Sequence, residues 1–183
     1  MNTEVFKSNF SKILLAWYNT EKRKLPFRES KDPYKVWLSE IILQQTQMKT
    51  GVEYYKRFVN RFPSINKLAE AEQKELYSLW EGLGYYNRAS NLHKTAKIIT
   101  EQYNGVFPKT YEELIKLPGV GKYTASAISS ICYNEKRVVV DANVFRVLAR
   151  VFNIKTNINK AKAYNSFLGL SNKLAKKTIH TGD

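Results

Sequence analysis

Residues 117–125, Leu-Pro-Gly-Val-Gly-Lys-Tyr-Thr-Ala, constrain the fold more than any other stretch of this sequence. Upstream, Thr110 opens a capping-box pattern that predicts the start of a short helix. The proline and glycines end that helix, and a second apolar-periodic run begins at Lys122. The pattern predicts two helices joined by a tight hairpin. Because Gly119 and Gly121 leave the backbone N–H groups bare, we expect the hairpin to approach a phosphate.

Helical periodicity dominates the rest of the chain. The predicted helices cover residues 3–20, 33–47, 50–61, 72–81, 86–103, 110–116, 122–133, 142–152 and 160–176. Only the valines at 138–140 are typical of a strand, and that run is too short to make a sheet. The sequence therefore predicts an all-α protein.

Charge points to a polyanionic partner. The 183 residues contain 30 basic and 16 acidic side chains, which gives a formal net charge of +14. Residues 142–182 contain no Asp or Glu at all. Such an excess suits a phosphate-facing surface, although a generally basic protein with an acid-free tail would look the same.

Cysteine content and hydropathy exclude several classes. Cys132 is the sole cysteine, so this sequence forms no internal disulfide and no metal site built from several thiolates. No run of apolar residues is long enough to span a bilayer, and the N-terminal residues lack a signal-peptide pattern. We therefore expect no membrane partner and no metal site.

A series of motifs carries a resemblance to a known family. The hairpin, followed by Asp141 at the end of the valine run, resembles the helix-hairpin-helix DNA glycosylases, the superfamily of endonuclease III. Five upstream motifs are similar to the A/G-specific adenine DNA glycosylase branch: Leu-Pro-Phe-Arg at 25–28, Asp-Pro-Tyr-Lys-Val-Trp-Leu-Ser-Glu at 32–40, Leu-Gln-Gln-Thr-Gln at 43–47, Trp-Glu-Gly-Leu-Gly-Tyr-Tyr at 80–86 and Arg-Ala-Ser-Asn-Leu-His at 88–93.

The resemblance sets an expected domain organisation. Residues 1–152 correspond to a helix-hairpin-helix glycosylase domain, and residues 153–183 form a basic segment with a weak match. Relatives continue with an iron–sulfur cluster held by four cysteines and with a domain that recognises oxidised guanine, and neither is present in this sequence. We therefore expect an incomplete second lobe and no cofactor bound by this chain.

The resemblance also assigns catalytic roles. Removing a purine requires an acid for the departing base and negative charge near the cationic sugar. By resemblance Glu40 is the acid, Asp141 stabilises the sugar and Asn143 positions water. Tyr123 stands where bifunctional relatives carry a Schiff-base lysine, which favours base removal without strand cleavage. Taken without the resemblance, Glu40 is a surface residue of an amphipathic helix and Asp141 a helix cap.

Further residues match positions that contact DNA. The adenine pocket is expected around Leu25, Phe27, Arg28 and Trp37. Duplex contacts are expected from Gln44, Gln45, Tyr85, Gly119, Val120, Gly121 and Lys122. Amides can bind base edges and an aromatic ring can wedge between bases. Without the resemblance, the two glutamines are an exposed helical pair and Tyr85 a core aromatic.

Together these features predict a monofunctional base-excision-repair glycosylase that releases adenine mispaired with guanine or 8-oxoguanine. Its partner would be duplex DNA carrying that mispair, and it would act as a monomer at the bacterial nucleoid in the cytoplasm. One alternative is a catalytically silent DNA-binding remnant. A bifunctional pyrimidine-lesion glycosylase is a third hypothesis, which Tyr123 disfavours.

Overall fold

The computed structural model describes residues 3–156 and 161–179, and every regular element within them is helical, which confirms the all-α prediction. In chain order the elements are α1 (Thr3–Glu21), a 3-10 turn (Pro26–Arg28), α2 (Pro33–Leu43), α3 (Met48–Arg61), α4 (Ile65–Ala69), α5 (Gln73–Trp80), α6 (Asn87–Gln102), α7 (Tyr111–Leu114), α8 (Lys122–Tyr133), α9 (Ala142–Phe152) and α10 (Ala161–Ile179). Position 160, the predicted start of the last helix, lies outside the described residues, as does the side chain of Phe6.

Side-chain caps fix where several helices begin. Asp32 accepts a hydrogen bond from the Tyr34 N–H at 2.9 Å, and Pro33 occupies the first turn of α2. Thr110 accepts from the Glu113 N–H at 3.4 Å, as the capping-box pattern predicts. These oxygens satisfy N–H groups that have no partner within the helix. These two helices therefore begin at or next to the residues that the sequence predicts.

Most helix bounds lie within three residues of the prediction, and two differences are larger. Helix α2 ends at Leu43 rather than at residue 47, because Gln45 adopts a φ of +54°, which is incompatible with a continuing helix. The two glutamines therefore lie beyond the helix and not along its face. Helix α4 was not predicted; its five residues are too few to show a period, although Ile65 and Leu68 are buried.

The chain divides into two compact units. The central unit comprises Lys24–Arg137, and the terminal unit comprises residues up to Arg23 together with residues from Val138 onward. This division differs from the boundary placed at residue 152, which marks a change in family likeness. Within the described residues no helix is long and apolar enough to cross a membrane.

The central unit is built around α2. This helix packs against α3, α6 and α8, and α4 packs against α6. The largest side chains with almost no exposed surface in this unit are Trp37, Trp80, Phe58 and Phe62. Rings of Phe58 and Trp80 meet edge to face at 5.7 Å, a favoured aromatic geometry. The core thus holds α2 and the helices beside it in fixed positions.

In the terminal unit α1 packs against α10. The buried apolar residues of its described part are Phe10, Leu148, Ala163 and Phe167, and three of them, Phe10, Leu148 and Phe167, form one cluster. Ser11 adds a hydrogen bond to the carbonyl oxygen of Leu174 at 2.9 Å. Helix α10 therefore covers the part of α1 that carries Phe10 and Ser11.

Candidate active site

The predicted hairpin is present between α7 and α8. Gly119 has a φ of +74°, and a Cβ at this position would come within 2.8 Å of the Asn91 Cβ, so the turn requires glycine. The Val120 side chain is buried in the core, and its N–H donates to the Leu117 carbonyl at 3.1 Å. The Thr95 hydroxyl donates to the Pro118 carbonyl at 2.8 Å. The hairpin thus packs against α6, which carries Asn91 and Thr95.

The outer side of the hairpin is open. Gly121 is the N-cap residue of α8 and supplies no side-chain cap, and a Cβ added there would meet nothing within 4 Å. Lys122 and Tyr123, the first two residues of α8, are exposed. A helix N-terminus with bare backbone and an adjacent lysine can bind an anion. Of the predicted hairpin contacts, Gly119, Gly121 and Lys122 face outward, whereas Val120 presents its side chain to the core.

A cavity of about 630 Å³ opens beside the hairpin within the central unit. It is lined by residues from the end of α2, the start of α6 and the start of α8, among them Gln44, Gln45, Tyr85, Arg88, Lys122 and Tyr123. The side-chain amide of Gln44 lies 3.5 Å from the Thr124 hydroxyl. The structure therefore brings together the predicted duplex-probing residues and the hairpin.

Tyr85 and Gln45 both occupy a backbone conformation that side chains rarely adopt. Their φ angles are +48° and +54°. Tyr85 is 67% exposed, which excludes the alternative that it is a core aromatic. Gln45 is exposed as well. Strained residues of this kind persist where the surrounding structure fixes them, and they cluster at functional sites.

Glu40 is an acidic residue of the central unit whose pKa is perturbed. It lies on α2 and is partly buried. Burial raises the pKa of its carboxyl to about 6, and the positive charge of Arg28 opposes this shift. Near neutral pH this carboxyl is therefore partly protonated. Gln44 does not continue the helix face that carries Glu40, because the helix ends at Leu43.

The residues predicted around the adenine pocket divide by exposure. Leu25, Phe27 and Trp37 are buried members of the core, and Arg28 is exposed. The ring of Phe27 packs on Tyr55 at 5.4 Å and that of Trp37 on Phe107 at 5.5 Å. The three buried side chains can therefore affect the shape of a pocket by packing beneath its surface, but they are not exposed to a ligand.

Asp141 caps α9 in the terminal unit. Its Oδ1 accepts from the Val144 N–H at 2.8 Å, and its Oδ2 accepts from the Asn143 side-chain amide at 3.2 Å. Arg146 donates in turn to the Asn143 amide oxygen at 2.7 Å. The interpretation of Asp141 as a helix cap is thus confirmed, and a capping carboxylate held in place by Asn143 is also suited to an electrostatic role.

A comparison with known protein families supports the identification of the helix-hairpin-helix motif. Residues 38–173 match the family described as HhH-GPD superfamily base excision DNA repair protein. The chain belongs to this superfamily.

Within the superfamily the chain is similar to adenine DNA glycosylases. It is 49% identical over 149 residues to that of Buchnera aphidicola subsp. Baizongia pistaciae and 41% identical over 174 residues to that of Homo sapiens. The alignments cover 81% and 90% of this chain but 42% and 32% of the relatives. The chain therefore spans less than half the length of these curated relatives.

Solved structures show the same fold. A thermostable thymine-DNA glycosylase matches with a TM-score of 0.80 and 27% identity, over 95% of this chain and 80% of that one. A trapped endonuclease III–DNA covalent intermediate matches with a TM-score of 0.73 and 20% identity, over 100% and 86%. The second likeness is evidence for the fold alone.

The iron–sulfur cluster implied by the resemblance does not fit the residues present. Cys132 is the single cysteine of the sequence, and burial raises the pKa of its thiol to about 11. The described residues hold no group of three or more His, Cys, Asp or Glu side chains that could bind a metal. The described residues therefore supply no ligand set for such a cluster.

Three cavity residues were not predicted from the sequence, Asn87, Arg88 and Thr124, and Arg88 makes the most contacts with other segments. It belongs to a motif that carries the family likeness, but its type alone does not indicate a site. One physical signal was available: a cation in the first turn of a helix is disfavoured by the helix dipole. The hydrogen bonds of Arg88 go to groups outside its own helix.

Proposed function

We propose that this chain removes adenine from duplex DNA, at mispairs of adenine with guanine or 8-oxoguanine, by hydrolysing the N-glycosidic bond. The observation that carries the proposal is Glu40, a partly buried carboxyl whose pKa of about 6 keeps a proton available near neutral pH. The similarity of most of this chain to adenine DNA glycosylases supports adenine as the base.

In the proposed mechanism, Glu40 acts as general acid. It gives its proton to the departing adenine while the bond between base and sugar breaks and the electron pair leaves with the base. The sugar develops positive charge, and by the resemblance to adenine DNA glycosylases we assign its stabilisation to the Asp141 carboxylate. Water then adds to the sugar carbon and returns a proton to Glu40, and the same resemblance assigns to Asn143 the role of positioning that water. The products are free adenine and an abasic site in an intact strand.

Tyr123 supports a monofunctional reaction. A phenol has no amine with which to form a Schiff base to the opened sugar, so the strand is not cleaved by that route. Lys122 is next to it, but consecutive helical residues point about 100° apart. We assign Lys122 to a phosphate contact.

The cavity and hairpin fit a duplex that has been opened at one base pair. The bare N-terminus of α8 would bind phosphate, Tyr85 would fill the space left by the extruded base, and the glutamines would contact base edges. The partner is therefore double-stranded DNA bound by one copy of the chain. In a bacterium this reaction would take place at the nucleoid, where the DNA is located.

Single-turnover assays on a duplex with one A:8-oxoguanine pair test the chemistry. We expect free adenine and strand breaks that appear only after alkali treatment. Glu40→Gln should reduce release by a factor of about 10² to 10⁴, the usual contribution of a general acid. Glu53→Gln removes an exposed carboxylate of α3 and serves as control. Unchanged release by Glu40→Gln would refute the assignment.

Trapping with borohydride tests the monofunctional assignment separately. The unmodified protein should form no covalent adduct with the duplex, whereas Tyr123→Lys places an amine at the expected position and should form one. An adduct formed by the unmodified protein would instead support the bifunctional hypothesis.

Gly121→Asp tests the phosphate contact without damage to the fold. The site has room for the side chain, and Asp is a good helix N-cap, so α8 should be slightly stabilised. The added carboxylate would nevertheless repel phosphate, and duplex affinity should fall at low salt. Gly169→Asp, at a position that also has open space around its Cβ, is a charge-matched control in α10. Equal losses of affinity in both variants would contradict the assignment.

Duplex binding without catalysis is the second candidate. The observation that favours it is the small size of the buried apolar cluster in the terminal unit. Asp141, to which we assign a catalytic role, lies in that unit. If the duplex is bound at the hairpin but adenine release stays at the background rate, this candidate replaces the first.

A further inference from the structure

Arg88 lies where the end of α2 meets the loop before α6. Its Nη1 donates to the carbonyl oxygens of Ile41, Ile42 and Gln44 at 3.1, 3.0 and 2.5 Å, and it lies 3.3 Å from the Thr46 hydroxyl. These carbonyls belong to the last turn of α2, where the helix leaves acceptors unpaired. A guanidinium at this end also complements the helix dipole.

The other amine of the same guanidinium binds the loop of residues 81–86. Its Nη2 donates to the carbonyl oxygens of Leu83 and Gly84 at 3.0 and 3.4 Å. The carbon of the guanidinium lies 5.0 Å from the ring centroid of Trp80 and 5.9 Å from that of Tyr85. Burial lowers the pKa of Arg88, so the groups around it offset only part of the cost of desolvating the charge.

The two segments joined in this way carry the exposed, positive-φ residues of the cavity. Gln45 follows the end of α2 directly, and Tyr85 ends the loop. Each residue holds a left-handed conformation that is unfavourable for a residue with a side chain and needs support from its surroundings. Lysine could not replace arginine here, because an ammonium is a point donor and cannot span both segments in one plane.

We propose that Arg88 is a positioning residue that fixes Gln45 and Tyr85 relative to one another, so that the amide and the ring enter the duplex as one rigid unit. This inference rests on the proposed function for the identity of the duplex, but the coupling of the two segments is a property of the free protein. The guanidinium of Arg88 is bonded to backbone carbonyl oxygens of its own chain, so its role is to position other residues.

Hydrogen exchange of the free, full chain tests the coupling directly. In Arg88→Gln, amides of residues 41–47 and of residues 81–86 should both exchange roughly tenfold faster or more, since hydrogen bonds to a charged donor are lost on both sides. Arg88→Lys should fail to restore at least one of the segments. Arg61→Lys, at a surface arginine paired with Glu75, is the matched control and should change neither. Faster exchange in only one segment, or in neither, would overturn the inference.

A duplex with 2-aminopurine beside the mispair supplies the functional readout. Insertion of Tyr85 unstacks this base and raises its fluorescence. Arg88→Gln should lower the fluorescence gain severalfold and slow single-turnover release, while affinity at saturating protein changes less. Should the unmodified protein give no fluorescence gain and no release, the proposed function fails and the exchange experiment still decides the coupling. If the unmodified protein works and Arg88→Gln equals it, the positioning role is wrong.

Thermal melting shows whether a variant loses its effect because it is unfolded. Arg88→Gln leaves α2 with unpaired carbonyls and is expected to melt at a lower temperature. If it does not fold, Arg88→Lys keeps the charge and bonds to one segment, and both readouts are taken from that variant. Exchange and fluorescence equal to the unmodified protein in Arg88→Lys would then overturn the inference.

Discussion

The central and terminal units use the same element type but bury very different amounts of apolar surface. Side chains such as Trp37, Phe58 and Trp80 have no exposed surface in the central unit. The buried cluster of the terminal unit consists of Phe10, Leu148 and Phe167 in the described residues, and Trp17 on α1 is 58% exposed. The hairpin and Glu40 thus lie in a unit with a large buried core, whereas Asp141 lies in a unit with a small one. The difference indicates that duplex binding should survive perturbations that abolish catalysis.

Truncating one buried ring in each unit should give the largest effect and tests the comparison directly. Phe58→Ala should reduce the free energy of unfolding by about 3–5 kcal/mol, because a close-packed core cannot collapse into the cavity. Phe167→Ala, also fully buried, should cost about 1–3 kcal/mol, because fewer neighbours constrain the surrounding side chains. Urea denaturation followed by circular dichroism measures both. Equal losses would show that the terminal unit is packed as well as the central one.

Glu40→Gln should stabilise the protein by a smaller amount that depends on pH. Below about pH 4.5 the carboxyl is protonated in both the folded and unfolded states and contributes nothing. As the pH rises towards 6, the unfolded state ionises first, so the folded protein loses stability, and above the folded pKa of about 6 this cost is constant. The variant should therefore gain roughly 1–2 kcal/mol at pH 8 and nothing at pH 4. A gain at both pH values, or one shared by Glu53→Gln, would contradict a pKa raised by burial.

Substitutions on the exposed face of α1 should have the smallest effect on stability. Leu14→Lys and Trp17→Lys should each change the free energy of unfolding by less than about 0.5 kcal/mol. They should nevertheless reduce binding of a hydrophobic dye such as ANS, since they interrupt a contiguous apolar surface. Val106→Lys, at an exposed valine of the central unit, is the control and should leave dye binding unchanged. A loss of several kcal/mol at Trp17 would mean that this face is covered.

The sequence predicted the fold well where a single local signal decides the structure. Helix capping by Thr110 and Asp141 and the hairpin at Gly119 follow from the chemistry of two or three neighbouring residues. The raised pKa of Glu40 was also predictable from its apolar neighbours. The early end of α2 was not, because Gln45 adopts its left-handed conformation in a place where distant groups support it.

The role of Arg88 was hidden for the same reason. Its acceptors lie 42 to 47 residues away along the chain on one side, and only 4 or 5 residues away on the other. No spacing rule relates an arginine to carbonyl oxygens at such separations. Local chemistry therefore predicted the elements and several of the side chains of the site, whereas their mutual support required the structure.

The pH dependence of adenine release under single-turnover conditions tests the central claim most directly. With Glu40 as general acid, the rate should be constant below about pH 6 and fall about tenfold for each pH unit above it, because only the protonated carboxyl can donate. Glu40→Gln should release adenine slowly and without this slope, and duplex without protein gives the acid-catalysed background. A rate that does not change between pH 5 and pH 8, or a slope retained in Glu40→Gln, would contradict the account.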